Sequence, residues 1–192
     1  MNKKILFIIH GWDGNPKEIL HQLLRDKFFK EGFEVHIPNM PNPDKPKIDS
    51  WVNKLKEIVK NPDKDTYFIG HSIGSQAVLR YLETLNSKIA KVILIAPWMH
   101  LDRNTIKEEG EEVIEIAKPW METPIKWERV MVVAKDFLCV FSDNDPYVPL
   151  SEKDLFKKKL GAKITIENNM GHFTDETGEN KLSKVVDKLT FI

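Results

Sequence analysis

Six short apolar runs, each separated from the next by segments with helical periodicity, constrain this chain more than any other feature of it. Lys4 to Ile9, Glu34 to Ile37, Thr66 to Ile69, Lys91 to Ile95, Asp136 to Phe141 and Lys163 to Ile166 read as strands. Near-continuous apolar runs of this length belong to strands covered on both faces. After the first run, Pro16 suits the opening of a helix carrying Ile19, Leu20, Leu23, Leu24 and Phe28, which Gly32 ends. After the proline-rich loop Pro38 to Pro46, Asp49 or Ser50 is expected to cap a helix with Trp51, Leu55, Ile58 and Val59 on one face. Ala77, Val78, Tyr81, Leu82 and Leu85 mark another. Ser151 to Asp154 reads as a capping box opening a helix that Gly161 ends, and a last helix is expected near Lys181 to Leu189.

Strand–helix alternation predicts an α/β fold: a three-layer, doubly wound sheet of about six mainly parallel strands, with helices on both faces. At 192 residues this is one domain, spanning 1–192. Ligands of such sheets bind at the carboxyl ends of the strands. The segment Pro97 to Val130 breaks the alternation, with Trp98, Met99, Trp120, Met121 and Trp127 around charged residues. It reads either as a crossover helix with packing aromatics or as a small lid walling an apolar pocket.

The third run leads straight into Gly70-His71-Ser72-Ile73-Gly74 and then a helix. A strand–turn–helix around G-x-S-x-G lifts one serine hydroxyl above the sheet, and the two glycines remove side chains that would collide there. Such a serine needs a base, usually histidine, oriented by a carboxylate. The fifth strand is followed by Ser142-Asp143-Asn144-Asp145-Pro146-Tyr147-Val148-Pro149 and the sixth by Gly171-His172-Phe173, so an acid and a base follow Ser72 in the expected order. Asp143 and Asp145 both compete for the acid. Asp145 is favoured because the Pro-Tyr-Val-Pro segment after it makes a rigid loop. The loop His10-Gly11-Trp12 places the Trp12 N–H, together with that of Ile73, as oxyanion donors. His10 either contacts substrate or orders that loop, or else has a purely structural role. Trp98, Met99 and Trp120 are the other expected pocket residues. His71 is expected to pack or bond locally, His21 and His36 are read as structural, and His100 stays open.

Composition excludes several other classes. Lys+Arg and Asp+Glu both number 29, so no basic surface for nucleic acid or anionic lipid is indicated. The apolar part of the amino-terminal run is too short for a signal sequence, and no stretch is long enough to span a membrane. Cys139 alone permits no internal disulfide and, with the rest, points to a cytoplasmic protein. The first loop lacks the lysine of a P-loop and the third glycine of a dinucleotide fingerprint. No His, Cys, Asp or Glu cluster shows metal-ligand spacing, so neither metal nor cofactor is expected.

Taken together, His10-Gly11-Trp12, Gly70 to Gly74, Ser142 to Pro149, Gly171 to Phe173 and the segment Lys118 to Trp127 resemble the alpha/beta-hydrolase superfamily. More narrowly, they resemble the compact YdeN and retinoblastoma-binding protein nine group of serine hydrolases. The resemblance implies a minimal alpha/beta-hydrolase fold without an amino-terminal antiparallel hairpin. It also implies Ser72 as nucleophile, Asp145 as acid and His172 as base. The expected activity is cleavage of a small carboxylic ester or related acyl compound. The alternative is a protein-interaction module on a hydrolase scaffold. The resemblance supplies neither substrate nor oligomeric state.

Overall fold

In the computed structural model, residues 3–191 are described; Met1, Asn2 and Ile192, at the ends of the expected 1–192 domain, lie outside them. The strands are β1 (Ile5–Ile9), β2 (Glu34–His36), β3 (Thr66–His71), β4 (Lys91–Ile95), β5 (Asp136–Ser142) and β6 (Lys163–Glu167). They form one sheet in the order β2-β1-β3-β4-β5-β6, and every pairing is parallel. All residues of β3 and β4 are buried, whereas the edge strands β2 and β6 are only partly covered. The continuous apolar runs of the central strands are therefore a consequence of cover on both faces.

That cover comes from α1 (Ile19–Lys30), α2 (Ile48–Ile58), α3 (Ile73–Leu82), α4 (Arg103–Glu108), α5 (Glu111–Glu122), α6 (Trp127–Val133), α7 (Glu152–Leu160) and α8 (Glu179–Lys188). α1 packs on α8, while α2, α3, α6 and α7 form a contiguous row. Right-handed crossovers put these two groups on opposite faces, because the chain runs outward from β1 to β2 and then reverses to β3. The order thus switches between β1 and β3, where a doubly wound sheet opens its ligand crevice.

Two helix starts differ from expectation. α2 begins at Ile48 after Lys47, and neither Asp49 nor Ser50 caps it. Ser151 already has helical dihedrals and makes no side-chain cap, so no capping box forms at α7. Its neighbour Glu152 is turned inward and buried instead.

The segment 97–130 is not one crossover helix. α4, α5 and the start of α6 fill it, with Arg80 of α3 holding α5 by donating to the Trp120 and Thr123 carbonyls at 3.0 and 2.8 Å. Among the described residues, no helix is long and apolar enough to cross a membrane.

The strand-to-helix turn at 70–75 is tightly packed. A Cβ on Gly70 would lie 2.6 Å from the Ser75 Cα, and one on Gly74 would overlap the carbonyl oxygens of Ile9 and His10. Those contacts are backbone and cannot rotate away, so Gly74→Ala is expected to cost about 3 kcal/mol of stability. Urea unfolding should show a lower midpoint at unchanged slope. An unchanged midpoint would contradict this packing.

Candidate active site

Ser72 sits between β3 and α3 with φ 53° and ψ −124°, a conformation that a side chain rarely adopts. It is held by neighbours. Its N–H donates to the Ile95 carbonyl and its carbonyl accepts from the Ser75 N–H, both at 2.9 Å, while the Ser75 hydroxyl donates to the Gly70 carbonyl at 2.9 Å. Backbone strain of this kind costs roughly 1–3 kcal/mol and is sustained only by such surroundings. The Trp98 indole N–H points to the Ser72 hydroxyl oxygen at 3.3 Å.

The loops after β5 and β6 bring Asp145 and His172 together. His172 Nδ1 lies 2.8 Å from Asp145 Oδ2, and both side chains are largely buried. Asp145 Oδ1 accepts the N–H groups of Tyr147 and Val148 at 2.9 and 3.0 Å, which fixes the carboxylate plane. Asp143, the competing aspartate, accepts from the Asn169 N–H at 2.7 Å. It thereby braces the loop before His172. Ser142 and Asn144 do the same, through the N–H groups of Met170 and Gly171 at 3.1 and 2.9 Å.

Ser72 and His172 line one cavity of about 350 Å³, with Trp12, Trp98, Leu101 and Tyr147 among its walls. Asp13, Glu18 and Glu109 also line it, and no lysine or arginine does. The Trp12 side chain is pinned by its indole N–H to the Asp44 carbonyl at 2.9 Å, and the loop closes through Gly14 N–H to the Gly11 carbonyl at 3.2 Å. The backbone N–H groups of Trp12 and Ile73 have no acceptor among the described residues. Ile73 opens α3, where amides are left free and the helix dipole favours negative charge.

Three expected pocket residues do not line this cavity. His10 uses both ring nitrogens, Nδ1 to the Gly11 carbonyl at 2.8 Å and Nε2 from the Met40 N–H at 3.0 Å, so it orders the loop. Trp120 is fully buried against Trp51, with its indole N–H on the Pro46 carbonyl at 3.0 Å. Met99 lies in the core, its N–H bound to the Glu152 carboxylate. Glu152 also accepts from His100 Nδ1 at 3.0 Å, and so fixes the segment carrying Trp98. Sequence reading missed it because a glutamate at a helix start looks like a cap.

The remaining polar groups lie behind the loop that follows β1. His71 donates Nε2–H to the His172 carbonyl at 2.9 Å, and its ring lies 5.2 Å from that of His172. His21 Nδ1 faces the Asn15 carbonyl at 3.0 Å and a Glu18 oxygen at 3.2 Å. One ligand atom from each of Glu18, His21 and His71 lies within 4.8 Å of the others. Spacing along the chain does not announce this group, because Glu18 and His21 are one helical turn apart while the sheet brings in His71 from a distant part of the chain. Cys139 is buried in β5, and burial raises its thiol pKa, which leaves it unreactive.

Burial lowers the pKa of His10, His21 (to about 4) and His71, so all three are neutral near pH 7. An unfolded histidine protonates below about 6.5, so in this window the unfolded state binds more protons. Stability is therefore full above pH 6.5 and falls as pH drops through about 4. His21 alone contributes a loss of roughly 3 kcal/mol across that range. Urea midpoints that stay constant from pH 7 to pH 4 would contradict this.

A sequence model described as "Serine hydrolase" matches residues 6–190. The chain belongs to the serine hydrolase family. This serine hydrolase is 26% identical over 190 residues to the putative hydrolase YdeN of Bacillus subtilis, covering 97% of the chain and 95% of YdeN. It is 27% identical over 180 residues to the serine hydrolase RBBP9 of Rattus norvegicus, covering 94% and 87%. The crystal structure of the B. subtilis ydeN product superposes with a TM-score of 0.84 at 24% identity, over 96% of both chains. A carboxylesterase structure from Nitrososphaera gargenis gives 0.70 at 12% identity, over 97% of this chain and 92% of that one. The fold is thus that of a minimal alpha/beta hydrolase, and hydrolysis is the activity that the family carries.

Proposed function

We propose that this hydrolase cleaves small carboxylic esters and related acyl compounds through an acyl-enzyme on Ser72, with His172 as base and Asp145 as the orienting acid. The observation that carries the proposal is the Asp145–His172 hydrogen bond beside the cavity into which the strained Ser72 opens. With Nδ1–H held by Asp145, His172 presents an unprotonated Nε2 that can take the serine proton. Ser72 Oγ then bonds to the acyl carbon as the carbonyl π pair moves onto oxygen. The Trp12 and Ile73 N–H groups receive that oxyanion. As the tetrahedral adduct collapses, the C–O bond to the leaving group breaks and His172 delivers its proton there. Water repeats the sequence with His172 as base, releasing the acid and restoring the Ser72 hydroxyl.

The cavity favours a particular kind of acyl group. Its volume is at the small end of the range for ligand pockets, and aromatic and aliphatic side chains line it together with three acidic residues. Short uncharged acyl groups suit it better than long or anionic ones. The segment 97–130 supplies Leu101, ahead of α4, with Ile106 of α4 and Val113 of α5 to the wall, and so acts as the lid of the site.

p-Nitrophenyl esters of increasing chain length test both parts. Acetate and butyrate should turn over at least about tenfold faster, in kcat/KM, than decanoate. Failure to hydrolyse any of them would count against the esterase reading. A preference for decanoate would leave the chemistry standing and overturn the short-chain assignment.

A further inference from the structure

We propose that Glu18, His21 and His71 form a binding site for a zinc-like divalent transition metal ion behind the oxyanion loop, linking the β1–α1 connection to the nucleophile turn. Three features on different elements support it. The first is proximity: one ligand atom of each residue lies within 4.8 Å of the others. The second is a pair of buried nitrogens with nothing to bond. His21 Nε2 and His71 Nδ1 have no hydrogen-bond partner among the described residues, and the two side chains are almost completely buried. Leaving such groups bare is costly, so each calls for a ligand.

The third feature is the state of those nitrogens. His71 commits Nε2–H to the His172 carbonyl, and His21 commits Nδ1–H to the Asn15 carbonyl. In each ring the remaining nitrogen therefore carries a lone pair, as metal coordination requires. Metal-binding histidines ordinarily hold their other N–H on a carbonyl or carboxylate in this way. Two imidazoles and a carboxylate suit Zn²⁺, Co²⁺ or Ni²⁺ and are poor ligands for Mg²⁺ or Ca²⁺. Glu18 and His71 both line the cavity described above, which gives an ion its route in and leaves room for a water as fourth ligand.

The site adjoins the Asp145–His172 pair through His71, which holds the His172 carbonyl, but its test does not depend on turnover. Tag-free protein is stripped with a chelator and titrated with Co²⁺, following visible absorption, and then with Zn²⁺ by calorimetry. One ion per chain is expected, displaced from Co²⁺ by Zn²⁺ and not by Mg²⁺ or Ca²⁺, with Zn²⁺ raising Tm. Glu18→Gln and His21→Gln should each weaken Zn²⁺ binding at least about tenfold and remove the rise in Tm. Glu18 is only half-buried, so its variant remains informative if His21→Gln fails to fold, which circular dichroism reports. Two other pairs, the exposed His36 with Glu34 and the exposed His100 with the buried Glu152, are the competing places for an ion. Undiminished affinity in the folded variants assigns the ion to those pairs and overturns the proposal, as does the absence of Zn²⁺ binding by the parent.

Discussion

Ser72→Ala is expected to lower kcat/KM for a short-chain ester by on the order of 10⁴- to 10⁶-fold, with no loss of stability. In the proposed mechanism the magnitude follows from removing the atom that forms the covalent bond, while the amides of Trp12 and Ile73 remain to bind the oxyanion. Stability should hold because the Ser72 backbone, not its hydroxyl, makes the bonds to Ile95 and Ser75. Among the described residues the hydroxyl accepts only the Trp98 indole N–H. Alanine tolerates φ 53° no worse than serine does. Turnover within tenfold of the parent would place the chemistry elsewhere in the chain.

Asp145→Asn is expected to lower kcat on the order of 10⁴-fold, for a reason that depends on which oxygen does what. Oδ1 is committed to the N–H groups of Tyr147 and Val148, so the amide oxygen of the variant must stay there. The amide NH₂ then faces His172 in place of Oδ2. Facing a donor, the imidazole keeps its lone pair on Nδ1 and its proton on Nε2, where it can no longer accept the proton of Ser72. Asp143→Asn is the matched control. Asp143 holds the Asn169 N–H and does not touch the ring, so its loss should cost less than about tenfold. Equal losses in both variants would mean that the loop, and not the orienting carboxylate, governs the rate.

Much of this was legible in the residues because it is written locally. Apolar runs mark the strands since both sheet faces are covered, and the Gly70–Gly74 turn is a contiguous pattern whose glycines are dictated by backbone contact. The loops carrying Asp145 and His172 fall where strand ends must lie. What escaped reading is tertiary. Glu152 has the local look of a helix cap, yet it is buried and serves the segment 98–100 some fifty residues earlier. Trp120 looks like a pocket wall by composition, but its indole N–H needed a buried partner and found the Pro46 carbonyl. The cluster of Glu18, His21 and His71 is assembled by the pairing of β1 with β3, which no spacing in one helix announces. Even the start of α2 shows the limit, since tertiary packing, not a capping side chain, sets it.

The central claim is that Ser72 is an activated nucleophile. Incubation with a fluorophosphonate, followed by intact-mass measurement and peptide mapping, tests it without presupposing a substrate. One adduct per chain on the peptide bearing Ser72, abolished in Ser72→Ala and slowed at least about a thousandfold in Asp145→Asn, is the predicted result. A parent protein that takes no label, or takes it on another residue, would contradict the account.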